Sequence, residues 1–241
     1  MKILAIETST PQLSVVLNFD GDLIGGIKIG QLSKQVEILI PSIQKLLDSV
    51  LIDIKSIQGI AVDVGPGLFT GIRTGIATAM AISKSLNIKI LPVSSLEILA
   101  VQANSLFGDI VVPIVDARRD EVYYSIYDGS NNGLNELSLP ISKSVDDFIS
   151  DLEKVDYLDG RTVTFVGSGV NRYFERLCKL NLNNHRFKAK VIKNDYFNFP
   201  SAEVLAEIAQ VSPKDNFVLP NELKPNYVRS PNVIIGWETR S

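Results

Sequence analysis

The chain has 241 residues, of which 45% are hydrophobic and 21% are charged, so it can bury a sizeable core and is not a disordered protein. Its 24 Lys and Arg against 27 Asp and Glu give a net charge of −3, which excludes a strongly basic nucleic-acid-binding protein. One cysteine excludes an internal disulfide and a Cys-rich metal cluster, and one histidine excludes every two-histidine metal motif.

The N-terminal apolar run, residues 1–6, is too short for the core of a signal peptide. The sequence also lacks a run of about 18 apolar residues that would span a membrane. A single cysteine is also typical of proteins in a reducing compartment. The chain is therefore expected to be a cytoplasmic protein that does not contact a membrane.

The first half of the chain changes from strand-like to helical patterning. Apolar runs bounded by turn residues predict three consecutive strands, and apolar residues at three-and-four spacing then predict an amphipathic helix. Pro41 lies inside that helix and is expected to kink or divide it. The predicted elements are strands at 2–7, 13–19, 23–29, 58–64 and 88–93, and helices at 33–50, at 70–86 and from residue 94.

The second half begins near residue 109 and again mixes strands and helices. Strands are predicted at 110–115, 121–127 and 162–166, and helices at 145–152, from residue 169, and at 201–211. The segment from Pro213 onward is rich in Pro and Asn and reads mostly as loop. The order of elements indicates an α/β fold with a mixed sheet and helices on its faces, an order also found in the ribonuclease-H-like half of actin-type ATPases.

A glycine-rich segment between a predicted strand and a predicted helix is the strongest local signal. Gly65, Gly67, Thr70 and Gly71 lie where backbone amides and a helix N-terminus can approach an anion. The alternative is a tight connection in which glycine permits close packing of helix on strand. The glycine spacing does not fit the dinucleotide fingerprint, so a dinucleotide site is not expected.

A second candidate anion turn follows the first strand. Glu7 is followed by Thr8, Ser9 and Thr10, where actin-type ATPases place an acidic residue and a hydroxyl-rich phosphate turn. This turn contains no glycine, so its backbone is poorly suited to wrap a phosphate. A local turn stabilised by hydroxyl side chains is an equally good interpretation.

Three further features have a structural interpretation that outweighs the functional one. Asp116 lies beside Arg118 and Arg119, and this group is interpreted as a salt-bridged strand end rather than a site that binds phosphate or carboxylate. Residues 161–193 hold eight Lys and Arg against one acid, which favours a solvated face over an RNA-binding surface. Cys178 lies on an apolar helix face and His185 in a polar loop, so a catalytic pair is not expected.

Helices 33–50 and 70–86 carry more apolar and small residues than one core-facing stripe requires. Such helices are either sandwiched within the fold or buried once inside and once against a partner. If a partner binds there, the candidate interface residues are Leu39, Ile43, Ile72, Ile76 and Ala79.

Several of these segments together resemble the bacterial TsaB (YeaZ) family. The resemblance rests on residues 3–10 (ILAIETST), 65–73 (GPGLFTGIR), 116–118 (DAR) with 121–123 (EVY), 200–206 (PSAEVLA) and 225–229 (PNYVR). It implies an actin-like ATPase (ribonuclease-H-like) fold of two lobes with mixed sheets. The implied division is a first lobe at 1–105, a second at 106–216, and a tail at 217–241 that packs back on the first.

The resemblance also implies a function. A member of this family is a non-catalytic scaffold in the formation of threonylcarbamoyl-adenosine beside the anticodon of tRNAs that read codons beginning with A. It pairs with a paralogous TsaD-like transferase and a small TsaE-like ATPase, contacts tRNA through that complex, and alone forms a homodimer through the same helix pair. No intrinsic cofactor is implied, and ATP or ADP binds at the level of the complex.

Two observations refine this expectation. In the transferase paralogue a H-x-x-x-H pair on the helix corresponding to 33–50 binds the metal, whereas this helix has no histidine, so no metal site and no catalytic residue are expected here. Glu7 stands where the family usually has Asp, and Gln35 where many members have His. The alternative is a stand-alone nucleotide phosphohydrolase or kinase that uses Glu7, residues 8–10 and residues 65–67.

Overall fold

Two five-stranded sheets, each covered by helices, form the core of the chain in a computed structural model. The structure describes residues 1–30, 35–107, 109–130, 133–180 and 186–228. Both sheets are mixed, which confirms the predicted α/β class.

The first sheet contains β1 Lys2–Glu7, β2 Leu13–Phe19, β3 Asp22–Ile29, β4 Gly59–Asp63 and β5 Lys89–Val93. Its strand order is β3-β2-β1-β4-β5. β1, β2 and β3 form an antiparallel meander, and β4 and β5 are added parallel to β1. β4 and nearly all of β1 are buried, as expected for strands covered on both faces.

The second sheet contains β6 Ile110–Arg118, β7 Glu121–Asp128, β8 Asn135–Ser144, β9 Thr162–Val166 and β10 Lys188–Val191. Its order is β10-β9-β6-β7-β8. β6, β7 and β8 are antiparallel, and β9 and β10 are added parallel to β6. The two sheets therefore share one topology, although the sequence shows no repeat.

Helices cover both faces of each sheet. The helices are α1 Gln35–Ser49, α2 Phe69–Leu86, α3 Ser95–Phe107, α4 Val145–Leu152, α5 Ser168–Cys178, α6 Asp195–Asn198 and α7 Ala202–Val211. α1 and α2 bury their apolar stripes on one face of the first sheet, and α7 covers its other face. α4 and α5 cover one face of the second sheet, and α3 covers the other.

Two helices therefore pack on the sheet of the other half of the chain. Leu99 and Ala103 of α3 join the core beside β6, whereas Leu205 of α7 joins the core beside β1. The lobe division at residues 105 and 216 stays a prediction; in the structure α3 packs with the second sheet and α7 with the first. From residue 217 the described chain lies on the first lobe, where Val218 bridges Ile90 of β5.

α1 is continuous across Pro41, so the expected division of this helix is wrong. Pro41 is exposed, while Leu39, Ile43 and Leu46 are buried against the first sheet. Burial of this apolar stripe holds the helix together although proline removes one backbone hydrogen bond.

Candidate functional site

Two acidic side chains meet at the carboxyl ends of adjacent parallel strands, the edge at which open α/β sheets usually bind ligands. Glu7 ends β1 and Asp63 ends β4, and the pairing of Ile6 with Val62 places them side by side. Both side chains are fully buried. Sequence reasoning considered Glu7 but missed Asp63, for which the available signal was a charged residue at the end of an apolar strand.

Each carboxyl group is held through one oxygen by a serine and a backbone amide. Oε1 of Glu7 accepts hydrogen bonds from both N and Oγ of Ser9 at 2.7 Å. Oδ1 of Asp63 accepts hydrogen bonds from N of Gly65 at 2.7 Å and from Oγ of Ser95 at 2.6 Å. The second oxygens, Glu7 Oε2 and Asp63 Oδ2, have no hydrogen-bond partner in the described part of the chain.

Burial dominates the titration of both groups. It raises the pKa of the Glu7 carboxyl well above its ordinary value, and the negative charge of Asp63 raises it further. Burial also raises the pKa of Asp63 to about 6, against the opposing hydrogen bonds from Ser95 and Gly65. Loss of water penalises the charged form of a carboxyl group, so the pair favours retention of a proton.

The glycines of residues 65–71 allow the N-terminus of α2 to pack directly on the turn after β1. A Cβ atom on Gly71 would lie 1.9 Å from the carbonyl oxygen of Thr8, and one on Gly67 would lie 2.3 Å from the carbonyl oxygen of Ser9. The backbone N of Leu68 donates a hydrogen bond to the same Ser9 carbonyl at 2.6 Å. The chain's own backbone thus fills this space, which favours close packing over an anion cradle.

The three hydroxyl groups of the first turn are also buried. Oγ1 of Thr8 donates to the carbonyl oxygen of Gly71 at 2.8 Å, and Oγ1 of Thr10 accepts from N of Gln12 at 3.2 Å. The hydroxyl of Ser9 donates to Oε1 of Glu7. Thr70, in contrast, is exposed in the first turn of α2.

A cavity of about 330 Å³ opens between the lobes beside this turn. Its lining includes residues from both lobes, among them Ser9, Thr10, Gly67, Phe69, Arg118 and Ser168. The volume is at the lower limit of small-molecule sites. Glu7 and Asp63 do not line it, so neither buried acid faces this cavity.

The five residues expected at a partner interface lie in the core of the first lobe. Leu39 and Ile43 of α1 and Ile72, Ile76 and Ala79 of α2 are between 0 and 7% exposed. They pack the two helices against the first sheet. The expected docking surface therefore needs correction at these positions, because the stripe they form faces inward.

The helix pair also carries exposed apolar residues. Val36 and Ile40 of α1 are 59 and 64% exposed, and Phe69 of α2 is 50% exposed. We call this surface the outer helix face; its exposed apolar residues are Val36, Ile40, Pro41, Phe69, Ala77 and Ala81.

An aromatic cluster borders the outer helix face at the start of α2. The guanidinium of Arg73 lies 3.7 Å from the ring centre of Phe69, and its Nε donates to the hydroxyl of Tyr227 at 3.0 Å. The Phe69 and Tyr227 rings stack at 5.8 Å. Two of the sequence segments that carry the family resemblance, residues 65–73 and 225–229, thus meet at this cluster, which sequence reasoning did not anticipate.

Ion pairs in the second lobe support the structural interpretation of its charged residues. Arg161, in the basic run, contacts Asp109 at 2.7 Å and Asp128 at 2.8 Å. Asp116 lies 3.5 Å from Arg118 and 3.2 Å from Arg172. These pairs neutralise positive charge within the chain, so less of it is available to bind the phosphates of RNA.

Two sequence candidates remain. Cys178 is partly buried, and His185 lies outside the described residues. The described residues include no group of three or more His, Cys, Asp or Glu side chains placed to hold a metal ion. Within the same part of the chain, none of the helices is long and apolar enough to cross a membrane.

Comparison with known proteins gives one consistent result at the level of sequence. The family model for TsaD, tRNA N6-adenosine threonylcarbamoyltransferase, matches residues 25–217. The tRNA threonylcarbamoyladenosine biosynthesis protein TsaB of Bacillus subtilis is 33% identical over 168 residues, covering 69% of this chain and 71% of the relative. The TsaB of Haemophilus influenzae is 25% identical over 234 residues, covering 95% and 94%.

Solved structures agree. YeaZ from Pseudomonas aeruginosa superposes with a TM-score of 0.75 at 26% identity, covering 94% of this chain and 99% of that chain. A putative N-acetylmannosamine kinase from Listeria monocytogenes has a TM-score of 0.50 at 12% identity, covering 87% and 99%, which supports the fold alone. These similarities confirm the expected actin-like ATPase fold.

Proposed function

The chain belongs to the TsaB (YeaZ) family of tRNA threonylcarbamoyladenosine biosynthesis proteins, and we propose that it is a non-catalytic docking subunit in that pathway. Its main partner in this proposal is a TsaD-type transferase, and a small TsaE-type ATPase joins them. The complex modifies the adenosine next to the anticodon of tRNAs that read codons beginning with A. Alone, the chain forms a homodimer in the cytoplasm.

The observation that carries the proposal is the outer helix face. The inner stripe of the helix pair is sufficient to pack it on the sheet. Three large apolar side chains are nevertheless exposed to solvent, those of Val36, Ile40 and Phe69. Exposed apolar residues that cluster on one surface are typical of sites where another protein binds. Arg73 and the aromatic rings at its edge are of the types enriched in the residues that dominate binding energy.

The first-lobe turn supports a role other than catalysis. Glu7 and Asp63 are fully buried, and the hydroxyl of Thr8 is bound to the α2 backbone. α1 contains no histidine that could ligate a metal in the manner of the transferase paralogue. We accordingly place ATP or ADP at the level of the complex and assign this subunit no intrinsic cofactor.

Reconstitution tests the proposal. Purified TsaD-type and TsaE-type subunits, ATP, a threonylcarbamoyl donor and unmodified tRNA are combined with and without this chain. Formation of the modified nucleoside only when the chain is present supports the docking role, whereas equal formation without it contradicts that role.

The alternative of a stand-alone phosphohydrolase is measured in the same preparation. The chain alone, with ATP and Mg²⁺, is expected to show no turnover, because its buried acids do not reach solvent. Turnover on the order of 1 per second or faster, the range of ordinary enzymes, would instead favour the alternative.

A further inference from the structure

We propose that Arg73 anchors the partner at the edge of the outer helix face by binding a carboxylate side chain of the TsaD-type subunit. The inference rests on the proposed docking function and adds to it the chemistry of one contact. It also gives the C-terminal segment a role, because Tyr227 positions the guanidinium of Arg73.

Arg73 is held in place by two aromatic side chains rather than by a carboxylate. Phe69 lies one helical turn before it, so the two side chains lie on the same face of α2. The guanidinium lies 3.7 Å from the centre of the Phe69 ring, and Nε donates to the Tyr227 hydroxyl at 3.0 Å. These contacts orient the guanidinium before any partner binds.

The C-terminal segment fixes Tyr227 in turn. Leu223 is buried in the core of the first lobe, and N of Asn226 donates to the carbonyl oxygen of Val64 at 2.8 Å, just after β4. The Tyr227 ring then stacks on Phe69, with 5.8 Å between the ring centres. The tyrosine hydroxyl is therefore brought to Arg73 by the packing of the tail on the first lobe.

The terminal nitrogens of Arg73 remain available for a ligand. Tyr227 occupies Nε, and neither Nη1 nor Nη2 has an acceptor within the described residues. Together these two nitrogens match the two oxygens of a carboxylate. The arginines with a described ion pair contact aspartates of the chain instead; they are Arg118, Arg161, Arg172, Arg176 and Arg186.

The surroundings of Arg73 favour a carboxylate of a protein over a phosphate of RNA. One turn to either side of it on α2 are Phe69 and Ala77, both exposed and apolar. Binding to RNA usually needs several cations along the phosphate backbone, whereas apolar neighbours exclude water and strengthen a single charged contact between proteins. Arg73 therefore fits the anchor of a protein interface.

Titration of the TsaD-type subunit with variants of the full chain tests the inference. Arg73→Gln is expected to weaken the complex by about 30-fold or more, as truncation of an anchoring arginine does. Arg73→Lys keeps the charge but cannot form two parallel hydrogen bonds, so it should restore only part of the affinity. Tyr227→Phe keeps the ring but removes the acceptor of Nε, and a loss of about 2- to 10-fold is expected.

Arg119→Gln is the matched control, because Arg119 is an exposed arginine of the second lobe and should not change the affinity. Arg73 and Tyr227 are also exposed, so all variants are expected to fold, which equal urea midpoints would verify. If Arg73→Gln does not fold, Arg73→Lys and Tyr227→Phe still test the contact.

A double-mutant cycle identifies the carboxylate. Exposed Asp and Glu residues of the TsaD-type subunit are changed one at a time to Asn and Gln, and each variant is titrated with the wild-type chain and with Arg73→Gln. One acid is expected to couple to Arg73 by about tenfold or more, as close charge pairs across interfaces do. Coupling to none of them would overturn the inference.

The remaining outcomes separate this inference from the docking function. If Ile40→Glu weakens the complex but both Arg73 variants bind as tightly as the wild-type chain, the docking surface stands and the role of Arg73 is overturned. If the wild-type chain does not bind the TsaD-type subunit, the docking function fails and the inference fails with it. A loss in Arg73→Gln that is confined to binding of unmodified tRNA, or to the homodimer, would also overturn the assignment.

Discussion

Replacing Ile40 with glutamate places a charge on the outer helix face without disturbing the core. Ile40 is 64% exposed, and α1 packs on the first sheet through other residues, among them Leu39 and Ile43. Glutamate is a good helix former, so the folded chain should keep its stability within about 0.5 kcal/mol. A partner that buries this position, however, loses an apolar contact and must accommodate a charge.

The size of the effect follows from the exposed fraction. Full burial of an isoleucine side chain contributes about 1.5–3 kcal/mol, and 64% of the residue is available to be buried, so each copy loses about 1–2 kcal/mol. A symmetric dimer loses this twice, or about 2–4 kcal/mol, which weakens dimerisation by roughly 30- to 1000-fold. A complex that contains one copy of the chain loses the contribution of only one Ile40 side chain. Its affinity therefore weakens by the square root of the factor for the dimer.

Sedimentation equilibrium measures the dimer, and titration with the TsaD-type subunit measures the complex. The matched control is Leu139→Glu, at a leucine of the second lobe that is 77% exposed and should change neither affinity. Ile76→Glu is the contrasting variant. It buries an unpaired charge at a 7% exposed position and should unfold the first lobe. If Ile40→Glu folds and binds both a second copy and the TsaD-type subunit as tightly as the wild-type chain, the outer helix face is not the docking surface.

Two further predictions concern stability. Gly71→Ala places a Cβ atom 1.9 Å from the backbone oxygen of Thr8, so urea unfolding should show a loss of about 1–3 kcal/mol or more, whereas Gly30→Ala, with open space around its Cβ, should change little. Hydrogen bonds from Arg161 hold the pKa of Asp128 well below its ordinary value, so this pair stabilises the chain at neutral pH. That contribution begins to decrease as pH falls below about 4, the unfolded value, and is lost only as pH falls through the lowered pKa of the folded state. Asp128→Asn should therefore be less stable than wild type at pH 7, with a smaller deficit at pH 3; stability equal to wild type at pH 7 would contradict the assignment.

Most elements of the first lobe could be predicted from sequence because their periodicities are strong. The three strands of the meander and helices 33–50 and 70–86 lie close to their predicted positions. β8 was missed because it is an edge strand whose residues are exposed, such as Leu139, or half-buried and give little alternation. The exchange of α3 and α7 between lobes depends on tertiary burial, which no local pattern encodes.

The segments that form the site could be recognised in the sequence, but the direction in which their side chains face could not be predicted. Periodicity established that α1 and α2 have an apolar stripe, but it does not state which stripe faces the sheet, and Ile43 and Ile76 proved to be core. The glycine segment was recognised, and only the 1.9 Å approach of Gly71 to Thr8 distinguishes close packing from an anion cradle. Asp63 was overlooked because it lies beside Glu7 only through the pairing of β1 with β4, which no local sequence pattern shows.

A pull-down from the organism's own lysate tests the docking role most directly. The chain is tagged, captured with ATP present and analysed by mass spectrometry, beside the Ile40→Glu variant. The docking role predicts recovery of a histidine-bearing paralogue and a small P-loop ATPase with the wild-type chain, and their loss with the variant. Recovery of the chain alone, in a preparation that hydrolyses ATP, would contradict it.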